Sequence, residues 1–227
     1  MRKRLWLSTT LPLALLGLLS ACGSEPPGPP QLQERGLDAF HSIDLRGVGT
    51  VDVLVGPRQT VVLNAPAKVL EAVTTTVVNG NLVIDTEGLR GWSTGQSAGS
   101  LELRITMPEL KSLAVNGAGR VSLSGLRGGA VTMVVSGAGD VEAGGTLDTV
   151  TARLNGAGRM DLSRLVAGVA EVQVNGAGKM DVHATRRLEA TLNGVGSIDY
   201  AGSPQELLTT LNGLGRITPV AGASPAP

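Results

Sequence analysis

A four-residue motif recurs six times in the second half of this 227-residue chain, and it constrains the fold more than any other feature. The motif is Asn-Gly-Ala-Gly with small variations, and its copies are 18 to 20 residues apart. Its first residue, called the lead residue below, is Asn in five copies and Ser in one: Asn116, Ser136, Asn155, Asn175, Asn193 and Asn212. A short, near-constant period is typical of repeat proteins whose units stack on one another. The repeat also explains why 32 residues are glycine, about twice the average usage.

Alignment of the repeats on the lead residue gives the alternation that is typical of a β-strand. The residue before the lead is always aliphatic, the residue two before it is mostly polar, and the residue five after it is always apolar. Each repeat therefore predicts a strand, a glycine bend and a second strand, which together make an all-β fold. Two architectures remain: a β-meander that closes a hairpin at each bend, and a parallel β-helix (a β-solenoid) with coils of about 19 residues. We favour the β-helix because equivalent positions would stack in it.

The lead residues would form a structural ladder in such a stack. Asparagines about 4.8 Å apart can bond amide to amide along the column, and Asn tolerates the left-handed backbone of a corner. The two glycines of each motif are predicted to supply positive φ angles, which lets the chain bend sharply. Gly47-Val48-Gly49 resembles an outlying seventh copy of the motif.

Charged residues occupy two further columns, four and six positions after the lead, and both are predicted to face outward. The second column carries a row of carboxylates, called the acidic row below: Glu142, Asp161, Asp181 and Asp199. Basic residues in the neighbouring column, such as Arg159 and Lys179, predict a solvated face of paired charges, because unpaired like charges this close would repel. A row that binds calcium or a basic ligand is the sharper alternative, and a catalytic role is the third.

The sequence otherwise offers little chemistry. The two histidines, His41 and His183, are far apart, and we expect His183 at the surface. No metal-ligand cluster, phosphate loop or nucleophile–base spacing is present, so we predict no cofactor and no catalytic residue. A nucleic-acid partner is not expected either, because no basic patch with interleaved aromatics occurs.

The first 22 residues resemble a bacterial lipoprotein signal. Three basic residues precede an apolar stretch, and Leu19-Ser20-Ala21-Cys22 resembles a lipobox. The resemblance implies that residues 1–21 are removed and that Cys22, the only cysteine, carries lipid such as palmitate. A proline-rich tether over residues 22–37 would then hold the domain off the membrane. Gly23, rather than an aspartate after Cys22, favours the outer membrane, on its periplasmic or its surface face.

Residues 38–110 lack the period but alternate like strands, with a short helical turn at Ala67–Val73 and a hairpin turn at Asn79-Gly80. A polar loop over residues 88–100 carries Trp92, which would either pack over the end of the stack or contact a ligand. We predict one domain over residues 38–220 and a disordered tail over 221–227.

The order of these segments resembles a known family. Phe40 to Val53, then Val77-Val-Asn-Gly-Asn-Leu-Val-Ile, then the repeated Asn-Gly-Ala-Gly units are similar to the family called putative auto-transporter adhesin, head GIN domain. The resemblance covers about residues 38–218 and implies a right-handed parallel β-helix in an exported or lipid-anchored bacterial protein. It carries no catalytic residues. The sequence thus predicts a membrane-anchored, non-catalytic head that binds a glycan or envelope partner, with a pectin-lyase-like polysaccharide enzyme as the alternative.

Overall fold

A computed structural model of the protein describes residues 28–89 and 101–220. The predicted signal peptide, Cys22, Trp92 and the predicted tail lie outside these residues. The described chain is all-β apart from helix α1 (Ala67–Ala72) and a 3-10 turn (Glu87–Leu89). Its strands are β1 (Pro30–Glu34), β2 (Ser42–Val55), β3 (Thr60–Pro66), β4 (Thr74–Val78), β5 (Asn81–Asp85), β6 (Glu102–Met107), β7 (Ser112–Arg127), β8 (Ala130–Gly137), β9 (Asp140–Ala201) and β10 (Glu206–Pro219). Within the described ranges, no helix has the length and apolar character needed to cross a membrane.

Successive repeats pair in parallel, at an offset of one repeat. Strand β7 pairs with β8 so that Asn116 lies beside Ser136, and β8 pairs with β9 so that Ser136 lies beside Asn155. At the far end β9 pairs with β10, with Asn193 beside Asn212. This register sets equivalent positions side by side, as stacked columns require, whereas a meander would pair each repeat with itself across a hairpin.

Strand pairing continues through the glycine bend in five repeats, so these are continuous strands rather than the strand, bend and strand that we predicted. The repeat that begins at Ser136 has the predicted two strands, since β8 ends at Gly137 and β9 begins at Asp140. The first glycine of the motif has a positive φ, between 134° and 158°, in all six repeats. The second glycine has one only at Gly196, so the prediction of two positive-φ glycines is wrong for the other five repeats. Three of those positions, Gly158, Gly178 and Gly215, leave no space for a side chain instead: a Cβ on Gly178 would lie 2.8 Å from the carbonyl oxygen of Gly158.

The core runs along the inside of this stack. The aliphatic column before the lead residue is fully buried in five repeats, from Val115 to Leu192, and so is the apolar column five after it, from Val121 to Ile198. Most of the buried apolar side chains of the described residues are Leu, Val and Ala, which matches the near absence of aromatic residues. The stack buries thin layers of small aliphatic side chains, and hydrophobic burial of this kind is the main stabilising term of the fold.

The N-terminal end of the stack is closed by the less regular segments. Strand β2 pairs in parallel with β7, and Gly47 and Gly49 lie beside Gly117 and Gly119, so this segment is in register with the repeats. On its other side β2 pairs with β5 and β6. Strand β4 forms the predicted hairpin with β5, and Asn79 and Gly80 both have positive φ at its turn.

Strand β1 was not predicted. It pairs antiparallel with β3, and Pro30 lies beside Pro66. A strand therefore already lies at Pro30, inside the segment that we assigned to the tether and eight residues before the predicted domain start at residue 38.

Candidate functional site

The lead residues form a column of hydrogen-bonded amides over the last four repeats. The Nδ2 groups of Asn175 and Asn193 each donate to the Oδ1 of the preceding lead residue at 2.8 Å, and Asn212 donates to Asn193 at 3.0 Å. In the first repeat, Asn116 donates instead to Asp44 Oδ1, at 2.8 Å. Amide-to-amide bonds that run from one repeat to the next have the geometry of a stabilising ladder.

The acidic row lies alongside, but it is less exposed than its outward position implies. The exposed fraction of the side chains falls along the stack, from 52% at Glu142 to 29% at Asp161, 13% at Asp181 and 11% at Asp199. Basic side chains from the neighbouring column lie over the carboxylates and shield them from solvent.

Those basic side chains link the carboxylates into one chain of ion pairs. Arg159 lies 3.5 Å from Asp161 and 2.8 Å from Asp181. Lys179 lies 3.0 Å from both Asp181 and Asp199. Glu142 is paired separately, with Arg164 at 3.0 Å. Each carboxylate of the row therefore has at least one basic partner within the protein, which favours the face of paired charges over a cation-binding row.

The pKa shifts agree with that arrangement. Burial pushes the pKa of Asp161 upward, but hydrogen bonds from the Ser163 hydroxyl and N–H, together with the charge of Arg159, outweigh it and hold the pKa below its ordinary value. Burial acts in the same way on Asp199, and bonds from Lys179 and Thr218 lower its pKa. Hydrogen bonds to Asp199 and Asp181 raise the pKa of Lys179. A depressed carboxylate pKa is the opposite of what a general acid requires.

The histidines do not form a site. His183 is buried, with 7% of its surface exposed, so the expectation that it lies at the surface is wrong. Within residues 28–89 and 101–220 no group of three His, Cys, Asp or Glu side chains is arranged to hold a metal ion.

A groove at the N-terminal end is the main feature that sequence reasoning missed. It has a volume of about 600 Å³ and lies between β1, α1 and β4. Strand β1 contributes Gln31 and Gln33, and Arg35 follows on the same side because strand side chains alternate. Helix α1 contributes Glu71, and β4 contributes Thr74–Thr76. We name this feature the N-terminal groove.

Arg35 is incompletely bonded. Its Nη2 donates to the carbonyl oxygen of Leu70 at 3.0 Å, while its Nε is buried and has no hydrogen-bond partner among the described residues. A buried donor without a partner is costly, and a ligand that accepts from it would remove that cost. The only sequence signal for this side of the groove is the alternation of Gln31, Gln33 and Arg35, which is too short and too polar to predict a strand.

Comparison with known proteins adds a family and a fold. A family model described as putative auto-transporter adhesin, head GIN domain, matches residues 39–204. A crystal structure of a putative adhesin from Bacteroides fragilis has 21% identity and a TM-score of 0.71, covering 86% of this chain and 100% of that one. A putative lipid binding protein from Parabacteroides distasonis has 17% identity and a TM-score of 0.55, covering 86% and 98%. Among curated proteins, none matches the chain significantly.

Proposed function

The chain belongs to the putative auto-transporter adhesin, head GIN domain family, and from that premise we propose that it is a membrane-anchored bacterial envelope lipoprotein whose non-catalytic head binds a glycan of the envelope. Adhesion or binding is the role that the family description suggests. The finer parts of the proposal are the anchor, the shape of the head and the class of ligand.

The head is, in this proposal, a right-handed parallel β-helix. Parallel pairing at an offset of one repeat supports it, since each repeat then occupies one coil. The likeness in fold to the Bacteroides fragilis structure supports it as well. Such a scaffold is rigid, and its ends differ from its sides, so binding groups can be held at one place along it.

The observation that carries the binding proposal is the unpartnered Nε of Arg35 beside the N-terminal groove. The groove offers amides from Gln31 and Gln33, a carboxylate from Glu71 and the hydroxyls of Thr74–Thr76. Sugars present many hydroxyl groups that both donate and accept, and this lining can bond to them in both senses. A lipid chain would make fewer favourable contacts in the groove, because its lining contains few large apolar side chains.

The position of the groove favours a ligand that belongs to the envelope. Strand β1 starts at Pro30, eight residues after Cys22. A lipid on Cys22 would then hold the groove within about 30 Å of the membrane surface, since an extended chain spans at most ~3.6 Å per residue. A ligand at that distance is part of the cell's own envelope or lies directly against it.

Binding is tested by titrating the purified protein with envelope polysaccharides and peptidoglycan fragments, using calorimetry. We expect one of these glycans to bind, and Arg35→Ala to weaken the affinity by about tenfold, because a charged hydrogen bond contributes roughly 1.5 kcal/mol. Arg120→Ala is the matched control, because Arg120 is an exposed arginine paired with Asp140 on the repeat stack. Equal affinity in the two variants, with unchanged melting temperatures, would remove the groove from the proposal, and no binding to any envelope glycan would refute the ligand class.

The anchor is tested separately by Cys22→Ser. We expect the wild-type protein in the membrane fraction and the variant in the soluble fraction, because a thioether-linked lipid needs the cysteine sulfur. Retention of the variant in washed membranes would contradict the lipid anchor and leave the binding proposal standing.

A further inference from the structure

The C-terminal end of the stack exposes an apolar strand edge. Strand β10 is last in the sheet order and, among the described strands, pairs only with β9. Five of the nine exposed large apolar side chains of the described residues lie at this end of the chain: Leu207, Leu208, Leu211, Leu214 and Val220. A sixth, Val195, lies beside Leu214 on the neighbouring strand. This surface is called the C-terminal edge below.

Two of the exposed leucines belong to columns that the preceding repeat buries. Leu188 and Leu192 are fully buried in β9, whereas Leu207 and Leu211, which lie beside them in the same columns, are 46% and 47% exposed. At these two positions the C-terminal edge is a layer of core without a layer above it, and Leu214 adds an apolar side chain at a corner that faces outward in every repeat. A concentrated apolar patch beside unpaired strand backbone marks a surface that associates with a partner.

We propose that the partner is a second copy of this chain, bound edge to edge so that the two β10 strands run antiparallel about a twofold axis. Such an interface uses the same surface on both copies and closes on itself. Head-to-tail stacking is disfavoured, because the N-terminal end is covered by β5, β6 and the segments around them. The dimer has the two N-terminal grooves at its outer ends.

The glycines fix the register of this pairing. Within the stack, Gly213 and Gly215 lie beside Gly194 and Gly196, and a Cβ on either would collide with the carbonyl oxygen of its neighbour. An axis through Leu214 sets Gly213 of one copy opposite Gly215 of the other and thereby keeps glycine against glycine. It also sets Leu211 opposite Ile217, which continues the buried columns from one copy into the other.

The charged residues of β10 are compatible with the register that an axis through Leu214 sets. Strand β10 carries one acidic residue, Glu206, which is paired with Arg187 at 3.0 Å, and one basic residue, Arg216. The axis through Leu214 sets Arg216 opposite Asn212, so no like charges meet across the interface.

The C-terminal residues of the same chain are the alternative occupant of this edge. Residues 221–227 read Ala-Gly-Ala-Ser-Pro-Ala-Pro and contain no large apolar side chain. This segment would therefore bury less of the four exposed leucines of β10 than a second copy of β10 would.

The pairing is tested by measuring the mass of the full chain in detergent by light scattering and analytical ultracentrifugation over a range of concentrations. We expect a reversible dimer. Leu214→Arg places two like charges on the twofold axis and should weaken dimerisation by about tenfold or more. Leu54→Arg is the control, because Leu54 is also half-exposed but lies on β2, and it should leave the dimer intact. Both sites are on the surface, so melting curves that match the wild type at a concentration where all three proteins are monomeric confirm that each variant folds.

Two further variants complete the test. Leu214→Cys should give a disulfide-linked dimer on oxidation, because an axis through residue 214 brings the two thiols together, and Leu54→Cys should not. Deletion of residues 221–227 should leave the dimer unchanged. A wild-type chain that stays monomeric, a Leu214→Arg variant that dimerises as wild type does, or a dimer that appears only after the deletion would each overturn the proposal.

Discussion

The two ends of the stack solve the same packing problem differently. At the N-terminal end the glycine corner of β2 is covered by Thr86, which is 1% exposed. The Thr86 hydroxyl accepts from the Val48 N–H at 2.7 Å and lies 2.8 Å from the Val48 carbonyl oxygen. At the C-terminal end no described strand or residue covers the equivalent corner of β10, which pairs only with β9 among the described strands. One buried hydroxyl therefore covers the glycine corner at the end that β5 and β6 close, while the other end keeps the surface of an ordinary repeat.

The comparison shows where the information that distinguishes this protein lies. The repeats between the two ends are nearly interchangeable, since each sets the same columns beside those of its neighbour. The unique contacts, including the N-terminal groove and the Thr86 corner, lie in the irregular segments. Changes in the middle of the stack should therefore be the most damaging to stability, and changes at the open end the least damaging.

The largest effect is expected from Gly176→Val. Gly176 has a φ of 137°, and a Cβ there would collide with the carbonyl oxygen of Gly156. We expect the free energy of unfolding to fall by more than about 3 kcal/mol, because a β-branched residue resists this φ and the backbone cannot yield. Gly36→Val is the control, since a Cβ at Gly36 has nothing within 4 Å. Denaturant unfolding curves that lose the same stability in both variants would contradict the corner geometry.

The next largest effect is expected when a leucine of one column is truncated to alanine. The same truncation is compared in the middle of the stack and at its open end. Leu192→Ala should lower stability by about 2–5 kcal/mol, as truncation of a fully buried leucine does. Leu211→Ala, one repeat later, should lower it by less than about 1 kcal/mol when measured on the monomer, because half of its surface is already in water. Unfolding at low protein concentration measures both, and similar losses would mean that β10 is covered.

A third pair of variants removes one threonine hydroxyl at each end of the stack. Thr86→Val leaves the Val48 N–H without a partner and should cost about 1–3 kcal/mol. Thr218→Val removes the bond to Asp199 Oδ1 at 2.8 Å in a partly buried site, and we expect a loss of roughly 0.5–1.5 kcal/mol. Thermal unfolding should therefore rank the N-terminal variant below the C-terminal one, and the reverse order would contradict the stabilising role of Thr86 at the glycine corner.

The smallest effect is the dependence of stability on pH. The pKa of Asp199 is lowered from 3.8, so its contribution is fully present above pH 3.8 and is lost as pH falls through the folded-state value. The pKa of Lys179 is raised from 10.5, so its contribution is fully present below pH 10.5 and is lost as pH rises through the folded-state value. We expect a plateau of stability across neutral pH with a decline on either side.

Lys179→Met is the control for that dependence. It should flatten the alkaline decline and make the acidic decline shallower, since Lys179 is the main hydrogen-bond donor that lowers the pKa of Asp199. Urea unfolding at a series of pH values measures both arms, and a profile identical to that of the wild type would remove this ion pair from the stability of the stack.

The regular half of the molecule was predictable because its signals are local and repeated. The aliphatic column before the lead residue and the alternation on either side of it identify the strands, and the structure buries those residues in five of six repeats. The hairpin at Asn79 and Gly80 and the short helix α1 follow from equally local patterns.

The remaining features depend on contacts between segments that are distant in the sequence. Strand β1 has no apolar side facing the core, so it forms only because β3 offers it an edge. The Thr86 hydroxyl reaches Val48 across 38 residues, and Arg159 reaches Asp181 across 22. The shielding of the acidic row and the burial of His183 likewise depend on which repeats lie side by side, which an alternation pattern alone does not specify.

At the first glycine of the motif, a Cβ would collide with the carbonyl oxygen of the equivalent glycine one repeat earlier. This restricts how the gene can change in length. An insertion or deletion of a few codons inside the stack would set a side chain against that carbonyl in the next repeat and propagate the error onward. Loss or duplication of a whole repeat restores every column at once. The protein is therefore expected to tolerate unequal recombination between its repeats far better than small frame-preserving indels, and the length of the stack can vary in steps of one repeat.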